Sequence, residues 1–115
     1  MIPLPSVIFA LVLSIYDGDT FTVRAAIWPR HTVEIAIRIA GIDAPELHGK
    51  CPREKKLAIK AKAALTRILP INTMVELRSL EEDKYGGRIV ASLRTITGLD
   101  VAWHLLKICL AHSYH

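Results

Sequence analysis

Alternation of apolar and polar residues dominates the N-terminal third of the chain and predicts strands rather than helices. β-Branched residues are frequent there, and the alternation breaks at residues 16–19 and 28–31, which contain turn-forming residues. Strands are therefore predicted at residues 7–15, 20–27 and 32–42. Because the links between them are short, the three strands are expected to pair as an antiparallel meander.

The remainder of the chain changes to a mixed pattern. An apolar stripe with helical spacing predicts a helix at residues 54–69, with Pro52 suited to its first turn and Pro70 ending it. Strands follow at 74–80 and 88–97, and a second helix is predicted at 99–110. This order indicates an α+β fold: an OB-fold-like five-stranded β-barrel with one helix between strands 3 and 4 and a second helix after strand 5.

Length and charge narrow the possible classes of protein. The 115 residues are expected to form one domain spanning 1–115, and fifteen basic against eleven acidic residues give a net charge of +4. That surplus is compatible with a polyanionic partner. No stretch has the ~20 apolar residues that a membrane span requires, and the N-terminal apolar run is interpreted as a first strand rather than a signal peptide.

Several chemistries find no support in the sequence. The two cysteines, Cys51 and Cys109, are too few for a disulfide framework, although one disulfide between them is possible. The five histidines show no zinc-ligand spacing. Neither a glycine-rich phosphate loop nor a Gly-x-Ser-x-Gly elbow is present, which argues against nucleoside triphosphate and esterase chemistry.

Three polar motifs remain as candidates for chemistry. They are the turn at residues 17–20, Arg38 with the acidic segment 43–46, and the turn at 83–88. Taken singly, each is adequately explained as a hairpin turn, a helix cap or a surface residue. Together they gather arginines, acids and a Lys-Tyr pair at strand ends and in loops, where barrels carry their sites. Hydrolysis of a phosphodiester uses this set of groups, because a cation and arginines neutralise charge on the phosphoryl oxygens while a carboxylate activates water.

The motifs and their order resemble those of the thermonuclease, or staphylococcal-nuclease-like, family. The similar segments are Asp-Gly-Asp-Thr at 17–20, Arg38 five residues before Asp-Ala-Pro-Glu at 43–46, Asp-Lys-Tyr-Gly at 83–86 followed by an arginine, and Leu-Ala at 110–111. The resemblance implies an OB-like barrel and a Ca²⁺-dependent nuclease that hydrolyses DNA and RNA and leaves 3′-phosphate ends. It also implies a secreted or periplasmic protein, with nucleic acid as its partner, no membrane and a monomeric state.

By the same resemblance, Asp19 and Asp43 are expected to be carboxylate ligands of Ca²⁺. The carbonyl of Ala44 would assist them, and Asp17 would support the site from behind.

The resemblance also implies roles toward the substrate. Arg38 and Arg88 would grip the phosphate and stabilise the transition state, and Glu46 would position or deprotonate the attacking water. Lys84 and Tyr85 would contact the nucleotide.

The chain departs from the family pattern in three places. Gly87 is an additional glycine before Arg88, Cys109 stands where glycine is usual, and the chain stops at His115, before a third helix. Two other interpretations stay open: a nuclease-like barrel that binds nucleic acid without cleaving it, and a truncated fragment of low stability. Retention of the acids and arginines favours catalysis over the first of these.

Overall fold

A closed five-stranded barrel with two helices is the main feature of residues 6–44, 52–84, 86–108 and 112–113, which the computed structural model describes. The strands are β1 (Val7–Asp17), β2 (Thr20–Trp28), β3 (His31–Ile39), β4 (Ile42–Asp43), β5 (Met74–Glu82), β6 (Arg88–Thr95) and β7 (His112–Ser113), and the helices are α1 (Pro52–Ile68) and α2 (Val101–Lys107). In the barrel, the strands follow the order β1-β2-β3-β6-β5, and β1 pairs with β5 to close it. The predicted OB-fold-like α+β architecture is confirmed.

Strand pairing explains how distant segments meet at one place. β1, β2 and β3 form the predicted antiparallel meander. β3 then pairs with β6 in parallel, with Ala36 opposite Arg88 and Arg38 opposite Val90. The C-terminal part of β3 therefore lies beside the beginning of β6, although some fifty residues of chain separate them.

The core fixes which side chains of β3 face outward. Ile37 and Ile39 are fully buried and lie on the opposite face from Arg38, as strand alternation requires. Burial of each such side chain contributes about 1.5–3 kcal/mol, so a slip by one residue, which would expose both, is strongly disfavoured. Leu65 of α1 and Leu69, which directly follows that helix, pack into the same core.

The third strand is shorter than predicted. β3 ends at Ile39 rather than at residue 42, because Gly41 has a φ of 81°, in the left-handed region, and the chain turns there. Ile42 and Asp43 form the separate strand β4, which pairs with β7. Asp43 is thus carried away from the direction of β3 and toward the barrel end.

Other element boundaries also differ from those predicted. β5 continues to Glu82 through an irregularity between Arg78 and Glu81, and the second helix begins at Val101 rather than at residue 99. Its start is set by Asp100, whose Oδ1 accepts a hydrogen bond of 3.0 Å from the Trp103 amide, a typical helix cap. Among the described residues, neither helix has the length and apolarity needed to cross a bilayer.

Candidate active site at one end of the barrel

The turn between β1 and β2 is packed tightly against the rest of the domain. A Cβ atom on Gly18 would lie 2.7 Å from the Cβ of Ala61 on α1 and 2.9 Å from the Cβ of Ala44. No side chain fits at this position without movement of its neighbours, so glycine is required here for space. Contact between these small residues fixes the turn, and with it Asp19, against α1 and the segment after β4.

Asp19 is almost buried and is held by several hydrogen bonds. Its Oδ2 accepts the Ala44 amide at 3.0 Å, and its Oδ1 accepts the Thr20 hydroxyl at 3.0 Å. Its backbone amide lies 3.4 Å from Oδ1 of Asp17, and its carbonyl accepts the Ile39 amide at 2.8 Å. These bonds orient the carboxylate and tie it to the end of β3. Asp17 thus contacts the backbone of Asp19, and its supporting role stays a prediction.

Arg38 lies close to two carboxylates, one from the turn between β1 and β2 and one from β4. Its Nη2 is 3.8 Å from Oδ2 of Asp19 and 3.4 Å from Oδ1 of Asp43. The side chain of Arg38 is only 17% exposed, whereas that of Asp43 is 43% exposed. The two carboxylates thus converge on one nitrogen, and the one from Asp43 remains accessible to a ligand from solvent.

The carboxylate oxygens beside Arg38 supply part of the coordination that a hard divalent cation requires. Two converging carboxylates are the oxygen ligands that Ca²⁺ prefers, and the Ala44 backbone lies directly beside one of them. Among the described residues no cluster of three His, Cys, Asp or Glu side chains is found, so backbone carbonyls and water would have to complete the coordination. Such mixed coordination is ordinary for Ca²⁺.

A second ion pair lies in the turn between β5 and β6. Arg88 donates to Oδ2 of Asp83 through Nε at 2.8 Å and approaches the same oxygen through Nη2 at 2.7 Å. The Asp83 side chain is 8% exposed and that of Arg88 is 35% exposed. Backbone bonds from the Asp83 amide to the Arg88 carbonyl and from the Gly86 amide to the Asp83 carbonyl close the turn. With Gly87 included, the turn still aligns Arg88 with a fixed acid.

One groove collects both arginines. Its volume is about 360 Å³, and Arg38, Asp43, Asp83, Lys84 and Arg88 line it. This arrangement follows from the parallel pairing of β3 with β6, which brings the two strands' outward faces side by side. Arginine and lysine beside an accessible carboxylate can bind a phosphate group through charge-assisted hydrogen bonds.

Sequence reasoning missed three acids of this groove. The resemblance assigns no role to Asp83, and its place in a hairpin turn does not distinguish it from a solvated acid. Glu81 and Glu82 also line the groove, and they were assigned only to a polar turn. Nothing in their local sequence distinguishes them from solvated turn residues.

Part of the predicted site lies outside the described residues. Glu46 and Tyr85 belong to this part, as do Cys51 and Cys109, so their roles and the possible disulfide stay predictions. The structure brings together Asp19, Arg38, Asp43, Ala44, Lys84 and Arg88.

Comparison with models of protein families gives a match. A family model described as "Staphylococcal nuclease homologue" matches residues 36–115, which include Arg38, Asp43 and Arg88. Asp19 precedes the matched region, but its bonds to Arg38 and Ala44 join it to the matched part. A search of curated proteins finds no match.

Proposed function

Because the chain belongs to the staphylococcal nuclease homologue family, whose members are generally nucleases that act on nucleic acid, we propose that it is itself a catalytic nuclease. Specifically, it would hydrolyse phosphodiester bonds of DNA and RNA with Ca²⁺ and leave 3′-phosphate ends. The supporting observation is the position of Arg38, within 4 Å of two carboxylates and in the same groove as Arg88.

The two arginines would act on the phosphate from neighbouring strands. A guanidinium group offers a planar pair of donors that matches two phosphoryl oxygens, and two such groups can neutralise the charge that develops in the transition state. Arg38 and Arg88 are both partly buried, so their charges are less screened than at an open surface. Lys84, at the groove wall, and Tyr85 would contact the nucleotide.

Asp19 and Asp43 would hold Ca²⁺, with the Ala44 carbonyl as a further ligand. Bound there, the cation would add positive charge beside the phosphoryl oxygens. Asp17 would keep Asp19 oriented by accepting its amide hydrogen. Glu46 would orient or deprotonate the attacking water, so that its proton is removed as the new P–O bond forms. The bond from phosphorus to the 5′ oxygen would break in the same step, and the departing oxygen would take up a proton from solvent.

Hydrolysis of single-stranded DNA at mildly alkaline pH tests this proposal. We expect cleavage with Ca²⁺, none with a chelator, and a severe loss in Glu46→Gln. Glu82→Gln is the matched control, because it makes the same chemical change at an acid that lines the groove and has no role in the proposed mechanism. The products should resist extension by a polymerase until a phosphatase removes their 3′-phosphates.

A different result would point to the other interpretation. If no cleavage occurred under any condition while DNA binding stayed tight and sensitive to salt, the protein would be a non-catalytic binding module.

A further inference from the structure

The hairpin of β2 and β3 extends beyond the barrel as a two-stranded ribbon. β2 and β3 stay paired as far as Trp28 and His31, but β1 pairs with β2 only from Ala10 and Ala25 onward. On the other side, β6 joins β3 only from Ala36 onward. Residues 26–34 are all exposed. We call residues 26–34 the ribbon.

The ribbon exposes large apolar side chains that the fold does not need for its core. Trp28 is 71% exposed, Ile27 is 59% exposed and Val33 is 37% exposed. Ile27 and Trp28 are consecutive at the end of β2, and contiguous exposed apolar surface, unlike apolar residues scattered singly, marks interaction sites. An exposed indole at a hairpin tip is also well suited to stacking on another flat ring.

The charged residues of the ribbon favour a polyanion as the molecule that binds there. Glu34 is the only acid between residues 20 and 36, and it is paired with Arg24 at 2.9 Å. Arg30 lies two residues after Trp28 at the tip, so the tip itself carries positive charge and no acid. An aromatic side chain beside cationic ones is the arrangement by which proteins bind single-stranded nucleic acid, with bases stacked and phosphates paired.

The ribbon is also continuous with the candidate active site. His31 and Arg38 lie on the same strand, seven positions apart, which corresponds to about 23 Å. Between them, a gap of about 310 Å³ separates Ile35 of β3 from the turn of Gly86 and Gly87. Asp83 and Arg88 line both this gap and the groove of the site. His31 and its partner Trp28 lie on the opposite face of β3 from Arg38, so a polynucleotide that leaves the groove would reach the ribbon by crossing the edge of β3 before Ala36, which β6 does not cover.

We propose that the ribbon is a second binding site for single-stranded polynucleotide, in which Trp28 stacks on a base several nucleotides from the scissile bond and Arg30 pairs with a backbone phosphate. The choice of polynucleotide as substrate rests on the proposed function. The ribbon proposal itself predicts that long single strands bind better than short ones, because a dinucleotide in the groove cannot span the distance to Trp28.

Fluorescence of single-tryptophan variants tests the stacking directly, because the chain contains only two tryptophans. Trp103→Phe leaves Trp28 as the reporter, and Trp28→Phe leaves Trp103, an exposed residue of α2 that lies against Lys107. With a twelve-nucleotide oligothymidylate and a chelator, we expect quenching in Trp103→Phe and none in Trp28→Phe.

Affinity measurements add the energetic side of the test. Trp28→Ala should weaken binding of the twelve-mer about tenfold, since stacking on one base contributes about 1–3 kcal/mol. Its hydrolysis of a dinucleotide should not change. Arg30→Gln should reduce the slope of log K against log salt by about 0.7, because one phosphate contact to a single strand is lost. Trp103→Ala is the matched control and should leave both quantities unchanged.

The possible outcomes separate the ribbon from the nuclease. If Trp28→Ala binds and cleaves the twelve-mer normally, the ribbon proposal is wrong and the nuclease proposal stands. If Trp28 is quenched by the oligonucleotide but no cleavage is ever found, the ribbon proposal stands and the nuclease proposal fails. The proposal is also overturned if Trp28→Ala leaves the affinity for the oligonucleotide unaltered but changes another property of the protein. A change in sedimentation would assign the ribbon to contact with a second copy, and a change in binding to anionic vesicles would assign it to a lipid surface.

Discussion

Two arginine–aspartate pairs lie in the same groove, and their geometries differ. In each pair the two residues are five positions apart in the chain. Arg88 is held at 2.7–2.8 Å by one oxygen of Asp83, which contacts the solvent very little. Arg38 lies at 3.4–3.8 Å from two acids, one of them well exposed. The first geometry is a closed ion pair, whereas in the second the contacts are longer and the Asp43 carboxylate is open to solvent.

The difference follows from how each pair is supported. Asp83 and Arg88 belong to a single hairpin turn and depend on local backbone bonds. Arg38 and its acids come from three segments, and tight contact of Gly18 with Ala61 and Ala44 sets their separation. We infer that Asp83 orients an arginine, whereas Asp19 and Asp43 are available to a cation.

The largest effect is expected from Arg38→Lys. Lysine keeps the charge but loses the paired donors, so turnover should fall at least ~10²-fold while the thermal midpoint changes little. Steady-state kinetics on single-stranded DNA and a thermal melt would measure the two quantities. Near-normal turnover would remove Arg38 from the site.

A smaller effect is expected from Asp83→Asn. The amide can still accept one hydrogen bond but loses the charge that holds Arg88, so kcat should fall about tenfold as the arginine loses its orientation. KM should change less than kcat, which a general loss of binding would not produce. Glu82→Gln, which removes a charge from the same groove without touching Arg88, should remain close to the unaltered protein; equal losses in both variants would show that net charge, and not orientation, matters.

The packing of α1 against Gly18, next to Asp19, can be tested by substitutions on the helix. Ala61 is fully buried beside Gly18, whereas Ala63 lies on the exposed face of the same helix. Ala61→Val should lower the free energy of unfolding by about 1–3 kcal/mol, because the site has no room for two more methyl groups. Ala63→Val has the same intrinsic helix propensity cost and should lose only about 0.5 kcal/mol. Denaturant unfolding would compare them, and equal losses would contradict the packing argument.

The smallest effect is expected at a third ion pair, outside the groove. Arg24 and Glu34 form a bridge of 2.9 Å, but their side chains are 48% and 60% exposed. Such pairs contribute less than about 1 kcal/mol, so Arg24→Gln should change the free energy of unfolding only slightly. A large loss would show that the ribbon is stabilised by charge rather than by its backbone bonds.

Alternation and turn residues sufficed to predict the barrel strands, because each strand has one buried face and register is strongly specified in that case. The sequence did not predict the break at Gly41, since the apolar run continues to Ile42 and the pairing of β4 with the distant β7 leaves no signal in the local sequence. The partner of Arg88 was missed for a similar reason. A turn acid that is solvated and one that holds an arginine have the same local sequence, and only the path of the turn distinguishes them.

Calorimetric titration with Ca²⁺ tests the contrast between the two pairs most directly. We predict that the protein binds Ca²⁺, that Asp19→Asn abolishes this binding, and that Asp83→Asn leaves it unchanged. Loss of Ca²⁺ binding in Asp83→Asn, or Ca²⁺ binding that survives in Asp19→Asn, would contradict the assignment of Asp19 and Asp43 as the cation site.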